Sequence, residues 1–364
     1  MTGKVLVAGV SGVVGYAAAQ HFAQLPGWEV VGVARRPPAD LMGADLRAVD
    51  LTDPSRCREV FSTLEDVTHV VYAALFEKPG LLPGWRERDQ METNLAMFRN
   101  LMDPLVGAAS GLEHVSLLQG TKAYGAHVEP MAVPGRERNP RHEHENFYWL
   151  QEDDLRQRHA GSRWAWTIMR PQVIYGESLG SNMNPIPALG TYAAVQRLAG
   201  EPLSFPGGVP MLGEAVDADL LAHALAWAAV TPVCRNETYN ITNGDVYSLR
   251  NVWPVVADAF GMEVGPDRPH SLAAEMPGRQ GQWEEVVRRF GLRSPVSLEA
   301  FVGQSFIYAD LVSGFGLAQS PSPALLSTIK ARQHGFQECM DTEDMFRKWI
   351  GHFQAKGLFP PRDW

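Results

Sequence analysis

The chain has 364 residues, 45% hydrophobic and 20% charged, with a net charge of −9. That balance suits a globular enzyme with a full core and argues against a nucleic-acid-binding surface. The three cysteines, Cys57, Cys234 and Cys339, are odd in number and far apart, which excludes a disulfide framework and a cysteine zinc site from the expectations.

Residues 5–8 are an apolar run that reads as a buried strand. It leads into Gly9, Gly12 and Gly15, and the stretch 13–25 reads as a helix. Strand, glycine turn and helix is the context a dinucleotide-binding turn requires. Glycine permits the tight turn and lets backbone N–H groups of Ser11, Val13 and Val14 approach a diphosphate at the helix N-terminus. The G-x-x-G-x-x-G spacing resembles that of the short-chain dehydrogenases/reductases. Further strands are expected at 30–34, 46–49, 69–73, 114–119 and 166–170, with helices at 54–64, 88–109 and 147–158 between them. Apolar strands separated by helices imply a parallel sheet covered on both faces. Beyond about residue 175 the alternation loosens. Pro185, Pro187, Pro202, Pro206, Gly207, Gly208 and Pro210 read as loops, and short helices are expected at 218–229, 249–260 and 283–290. The fold class is α/β, a Rossmann-type doubly wound parallel sheet. Residues 1–180 form the dinucleotide-binding domain, and 181–364 are mostly a smaller substrate lobe. With no leader pattern and no bilayer-length apolar run in the sequence, a cytoplasmic location without membrane attachment is expected.

Arg35 and Arg36 follow the second strand, where NAD-specific proteins place an acidic residue for the ribose 2′-hydroxyl. Arginine presents a planar fork of donors suited to a 2′-phosphate, so NADP(H) is favoured over NAD(H); a solvated arginine pair is the alternative. Asp50, followed by Leu51, reads either as the acid facing an adenine edge or as a turn aspartate. Short-chain reductases commonly carry Tyr-x-x-x-Lys on one helical face. The tyrosine candidate here is Tyr148, but four residues on stands Glu152. A glutamate there would raise the tyrosine pKa rather than lower it. A lysine occurs instead at Lys122, beside Thr121, in the loop after the expected strand 114–119. It therefore comes from the carboxyl edge of the sheet, where doubly wound folds place ligands. Tyr148 reads either as a catalytic hydroxyl or as a packed helix aromatic. His142 and His144 form a His-x-His in a charged loop with no third ligand at suitable spacing, so no metal is expected.

The chain resembles the progesterone 5β-reductase/iridoid synthase-like enone reductases, an atypical branch of the extended short-chain group. The resemblance covers nearly the whole chain. It is carried by Gly9-Val10-Ser11-Gly12-Val13-Val14-Gly15, Gly32-Val33-Ala34-Arg35-Arg36, Asp66-Val67-Thr68-His69-Val70, Asn94-Leu95-Ala96-Met97-Phe98-Arg99-Asn100, Gly120-Thr121-Lys122, Asn146-Phe147-Tyr148, Arg170-Pro171-Gln172-Val173-Ile174-Tyr175-Gly176, Tyr239-Asn240-Ile241-Thr242-Asn243-Gly244-Asp245-Val246 and His334-Gly335-Phe336. The displaced lysine and the Asn-Phe-Tyr run together are its most specific marks. The resemblance implies NADPH-dependent 1,4-reduction of an α,β-unsaturated carbonyl compound, with hydride delivered to the β-carbon. Tyr148 would hydrogen-bond the enolate oxygen, and Lys122 would support the tyrosine and the cofactor ribose. It further implies cofactor contacts at Ala73, Ala74, Pro171, Val173 and Ile174, substrate contacts at Leu75, Met183 and Phe336, and a second lobe of interleaved segments. A homodimer is compatible with it. The chain departs from the family at Tyr72-Ala73-Ala74-Leu75-Phe76, near the substrate, and at Gly125-Ala126-His127, so the reaction class is implied and the particular enone is not. The alternatives on the same fold are a carbonyl reductase, a sugar-nucleotide epimerase and a non-catalytic NADP sensor.

Overall fold

The computed structural model describes residues 3–364. Its strands are β1 Gly3–Ala8, β2 Trp28–Ala34, β3 Ala44–Ala48, β4 His69–Tyr72, β5 His114–Leu118, β6 Ala165–Pro171, β7 Val173–Tyr175, β8 Ala215–Asp217 and β9 Glu237–Ile241. The helices that matter for the site are α1 Val13–Gln24, α2 Pro54–Phe61, α3 Arg88–Ala108 and α4 Phe147–His159. They are followed by α5 Pro185–Leu198, α6 Ala218–Val230 and α7 Leu249–Ala259.

Two compact units divide the chain. The first comprises the chain up to Gln172 together with Ala218–Thr242 and Leu326–Glu338; the second comprises Val173–Asp217, Asn243–Leu325 and Cys339–Trp364. In the first, seven strands lie in the order β3-β2-β1-β4-β5-β6-β9, every pairing parallel. The order reverses at β1, the switch point beside which doubly wound folds bind ligands. The central strands β1, β4 and β6 are largely apolar and buried, as a sheet covered on both faces requires, whereas the edge strand β3 carries Asp45 and Arg47 and has no fully buried residue. Leu6, Val31, Val70, Val115 and Ile168 are buried with Phe98, Leu101, Leu105 and Trp166 in one core. β1 and β2 begin earlier than their apolar runs. Gly3 and Lys4 pair in register with Trp28 and Glu29, and Lys4 Nζ meets Glu29 at 3.1 Å and Asp66 at 2.6 Å.

Strand β9 escapes the sequence pattern. Its Glu-Thr-Tyr-Asn-Ile has no apolar run, yet Asn240 is fully buried because its amide donates to the Gly135 and Ser327 carbonyls and accepts from Tyr124.

In the second unit, β7 and β8 pair in parallel. The expectation of loops at Pro185 and Pro187 is corrected: both lie in the first turn of α5, capped by the Asn184 side chain. Proline fits there because first-turn N–H groups have no intrahelical acceptor. Asp217 of this unit is buried and held by Lys348 at 2.9 Å and by the Trp349 indole N–H at 2.9 Å. No helix among the described residues is long and apolar enough to cross a membrane.

Candidate active site

The first half of the site is the turn between β1 and α1. Gly9 takes φ +90°, and a Cβ there would lie 2.8 Å from the Ala73 carbonyl oxygen. A Cβ on Gly15 would lie 2.2 Å from the Gly9 oxygen, so α1 can lie this close to the strand end only without one. Gly12 is the N-cap of α1 and offers no side chain to the helix end. The opening N–H groups of α1, those of Val13, Val14 and Gly15 among them, have no intrahelical acceptor. Together with the positive end of the helix dipole they suit an anion such as a diphosphate. Ser11 is exposed at the tip of the turn. The donor set and the shape of this cradle fit a dinucleotide.

Arg35 and Arg36 are exposed in the bend that follows β2. Asp50 is exposed after β3, and its carboxylate accepts from the Thr52 N–H at 2.9 Å and the Thr52 hydroxyl at 2.8 Å. Those bonds, with the charge of Arg35, hold its pKa below the ordinary carboxylate value. Leu51 differs from its neighbours. Its side chain is buried in the core and its carbonyl accepts from the Asn100 amide at 2.8 Å. Ala73 and Ala74 continue from β4 half-buried, and Leu75 is exposed.

The second half of the site is built from β5, the short turn Thr121–Tyr124 and α4. Asn146 starts α4 by accepting the Tyr148 N–H at 3.0 Å, and its amide donates to the Lys122 carbonyl at 3.3 Å. One capping side chain thus ties the helix that carries Tyr148 to the turn that carries Lys122. The Lys122 ammonium lies 5.5 Å from the Tyr148 ring centroid, 5.5 Å from Phe147 and 4.3 Å from Trp85. The Tyr148 hydroxyl rests on Gly120: a Cβ there would come within 3.3 Å of it and of the Pro171 carbonyl oxygen. Gly120 is therefore what allows the hydroxyl to reach the carboxyl edge of the sheet. Burial pushes the Lys122 amine down to about 8, opposed by the charge of Glu77.

Glu152 occupies the position of the usual lysine for a structural reason. It is buried, accepts from the Gln119 amide at 2.8 Å and meets Arg156 at 2.9 Å, with Arg141 and Arg170 at 3.7 and 3.8 Å. Gln119 in turn accepts from Arg170 at 2.8 Å. His142 and His144 bond to each other at 2.9 Å, and to Glu129 and Asn146 respectively. Among the described residues no group of three or more His, Cys, Asp or Glu is arranged to hold a metal ion.

The structure thus brings Lys122, Thr121, Gly120 and Tyr148 together within the first unit, beside the Pro171 carbonyl. Phe336, also in that unit, is buried against Trp227 at 5.4 Å and hydrogen-bonds by its amide to Ala331. Val173 and Ile174 lie on β7 and Met183 precedes α5, all in the second unit. Sequence reasoning missed Glu77 and Trp85, which flank Lys122, and Gln90, which hydrogen-bonds Glu77. It also missed the capping role of Asn146, although an asparagine before an aromatic run is an N-cap signal.

This strand order, switch-point glycine turn and Tyr–Lys pair define an extended short-chain dehydrogenase/reductase of Rossmann type. The family described as NAD dependent epimerase/dehydratase matches residues 5–242. An (S)-8-oxocitronellyl enol synthase of Camptotheca acuminata is 33% identical over 98% of this chain and 93% of its own. A 3-oxo-Δ(4,5)-steroid 5β-reductase of Arabidopsis thaliana is 32% identical over 98% of this chain and 92% of its own. Among solved structures, a UDP-glucose 4-epimerase of Thermotoga maritima with UDP-glucose aligns with TM-score 0.67 at 16% identity, covering 97% of this chain and 99% of that one. The Thermus thermophilus UDP-glucose 4-epimerase complex with NAD aligns with TM-score 0.65 at 18% identity, over 97% and 99%. These structural likenesses show the fold alone. The chain belongs to the NAD dependent epimerase/dehydratase family, in the branch of the 5β-reductases and 8-oxocitronellyl enol synthases.

Proposed function

We propose that the protein is an NADPH-dependent reductase of the C=C bond of α,β-unsaturated carbonyl compounds. The observation that carries this reading is the displaced pair: the Lys122 ammonium beside Tyr148, with a buried, arginine-bound Glu152 where a proton-relaying lysine would otherwise stand. Reduction of a ketone requires a proton for the new alkoxide. Conjugate reduction leaves an enolate, which needs only stabilisation at oxygen, and the α-carbon proton comes from solvent. Tyr148 donates a hydrogen bond to that oxygen as charge develops on it. Lys122 keeps a positive charge next to the tyrosine. A bound nicotinamide supplies the hydride. The amides of the Gly9–Gly15 turn would hold its diphosphate, and Lys122 and Tyr148 would meet its ribose. Arg35 and Arg36, exposed beyond β2, offer paired donors to a 2′-phosphate and support NADPH over NADH. Asp50, exposed after β3, would be the acid at the adenine edge.

The test is incubation with NADPH and a small mono-enone, followed by product analysis. The saturated ketone is the expected product. An allylic alcohol would assign a carbonyl reductase, and binding without turnover would assign a cofactor sensor.

A further inference from the structure

Glu77 lies in the segment between β4 and α3 and belongs to no motif singled out in the sequence. That segment is fastened to α3 by two buried amides. Asn94 accepts from the Phe76 N–H and donates to the Phe76 carbonyl, each at 2.9 Å. Gln90 accepts from the Lys78 N–H at 2.9 Å and donates to Glu77 Oε2 at 2.6 Å. Gly84 makes room for this, since a Cβ there would lie 2.2 Å from Gln90 Oε1. The Glu77 side chain is 1% exposed. Its other oxygen, Oε1, has no hydrogen-bond partner and lies 3.9 Å from Lys122 Nζ. The Trp85 indole N–H faces the same carboxylate without closing a hydrogen bond. Among the described residues Glu77 is the one carboxylate within 4.0 Å of that ammonium.

A buried carboxylate is costly unless it is paired. Gln90 would fasten the segment equally well through a neutral amide, and Gly84 accommodates Gln90 rather than the acid. What a negative charge adds is a partner for Lys122. Resting on our assignment of Lys122 and Tyr148 to the active site, we infer that Glu77 is a positioning residue: its carboxylate fixes the Lys122 ammonium beside Tyr148 and balances its charge. The other groups facing Lys122 are the Trp85, Phe147 and Tyr148 rings and His127, whose imidazole is held neutral by burial. None of them is anionic at neutral pH, so the balance falls to Glu77. Removing it lowers the proton affinity of Lys122 and empties the site of positive charge in the range where Tyr148 must hold an oxyanion.

Lys122 is read directly, without turnover, by competitive acetylation with acetic anhydride across pH 6–10 and mass spectrometry of its peptide. In the full-length protein with Glu77→Gln the midpoint of Lys122 reactivity should move down by about one pH unit or more, roughly fivefold in free amine at pH 7 from a starting midpoint near 8. Glu77→Asp should keep most of the wild-type midpoint. Glu77→Met fills the volume without leaving an amide in the apolar wall, and it should shift the midpoint like Glu77→Gln if the latter folds poorly. In turnover, the alkaline limb of kcat/KM should move with the midpoint while NADPH affinity changes less than twofold. An unmoved midpoint in Glu77→Gln or Glu77→Met overturns the inference. A moved midpoint in a protein that reduces no enone supports the pairing and refutes the proposed reaction instead.

Discussion

Single alanine substitutions separate the reasons why the first turn is built from glycine. At Gly15 the obstacle is the protein itself. The added Cβ would stand 2.2 Å from the Gly9 oxygen, 2.5 Å from the Gly9 carbonyl carbon and 2.9 Å from the Val10 nitrogen, all backbone atoms. Relief requires α1 to retreat from the end of β1 by roughly 1 Å, and such overpacking costs about 1–3 kcal/mol. At Gly12 the protein raises little objection: φ −92° and ψ 162° suit any residue, and the nearest atom to an added Cβ is 3.4 Å away. The side chain there would instead stand where the backbone meets the diphosphate. Gly15→Ala should therefore lower the melting temperature of the cofactor-free protein by several degrees and weaken NADPH as well. Gly12→Ala should melt like wild type and lose NADPH affinity by about tenfold, near 1.4 kcal/mol. Differential scanning fluorimetry and nucleotide-fluorescence titration read the two effects separately. A Gly15→Ala protein with wild-type melting, or a Gly12→Ala protein with full NADPH affinity, would refute the reasoning.

Arg35→Asp should weaken NADPH by about 1.5–3 kcal/mol, the range of a lost charge-assisted contact, and leave NADH nearly unchanged; equal losses in paired titrations would point to a structural role. Glu152→Gln should cost about 1–3 kcal/mol in urea unfolding, since Arg156 and Arg170 lose their anion, yet preserve enone turnover. Glu152→Lys in a Lys122→Ala background should not restore turnover, because the new lysine would face three arginines; recovery would show that the site is drawn wrongly. His114 is buried on β5, and its pKa is pushed down from 6.5 to about 3 by burial. Relative to the unfolded chain its contribution is fully present above about 6.5 and is lost as pH falls toward 3, on the order of 5 kcal/mol in all. Melting temperature should fall between pH 7 and 4 less steeply in His114→Phe than in wild type, and parallel curves would contradict this.

The parts of the fold legible in the sequence are those that local pattern decides. Val5–Ala8 followed by Gly9, Gly12 and Gly15 announces a strand, a turn and a helix because burial on both faces leaves no polar alternation to read. The Asn-Phe-Tyr start of α4 and the loop Gly120-Thr121-Lys122 were likewise readable, and the structure sets them side by side. Helix α5 was hidden by Pro185 and Pro187, which mark a loop when unplaced and a first helical turn once Asn184 caps it. Strand β9 was hidden because its buried polar residue, Asn240, is satisfied by groups distant in sequence: Tyr124, Gly135 and Ser327. Glu77 was hidden for the same reason. In the sequence it is one acid beside Lys78, and only the amide of Gln90 and the space at Gly84 turn it inward.

The most direct measurement is the turnover number of Tyr148→Phe on a mono-enone. The substitution keeps the ring beside Lys122 and Phe147, so folding and NADPH affinity should persist. The hydroxyl acts on charge that exists only after hydride transfer, so kcat should fall with little change in KM. The expected loss is about 100-fold or more, matching removal of one oxyanion donor. Enones carrying a second carbonyl stabilise the enolate themselves and should lose less. A Tyr148→Phe enzyme with full activity on a mono-enone would contradict the assignment of Tyr148 as the group that holds the enolate.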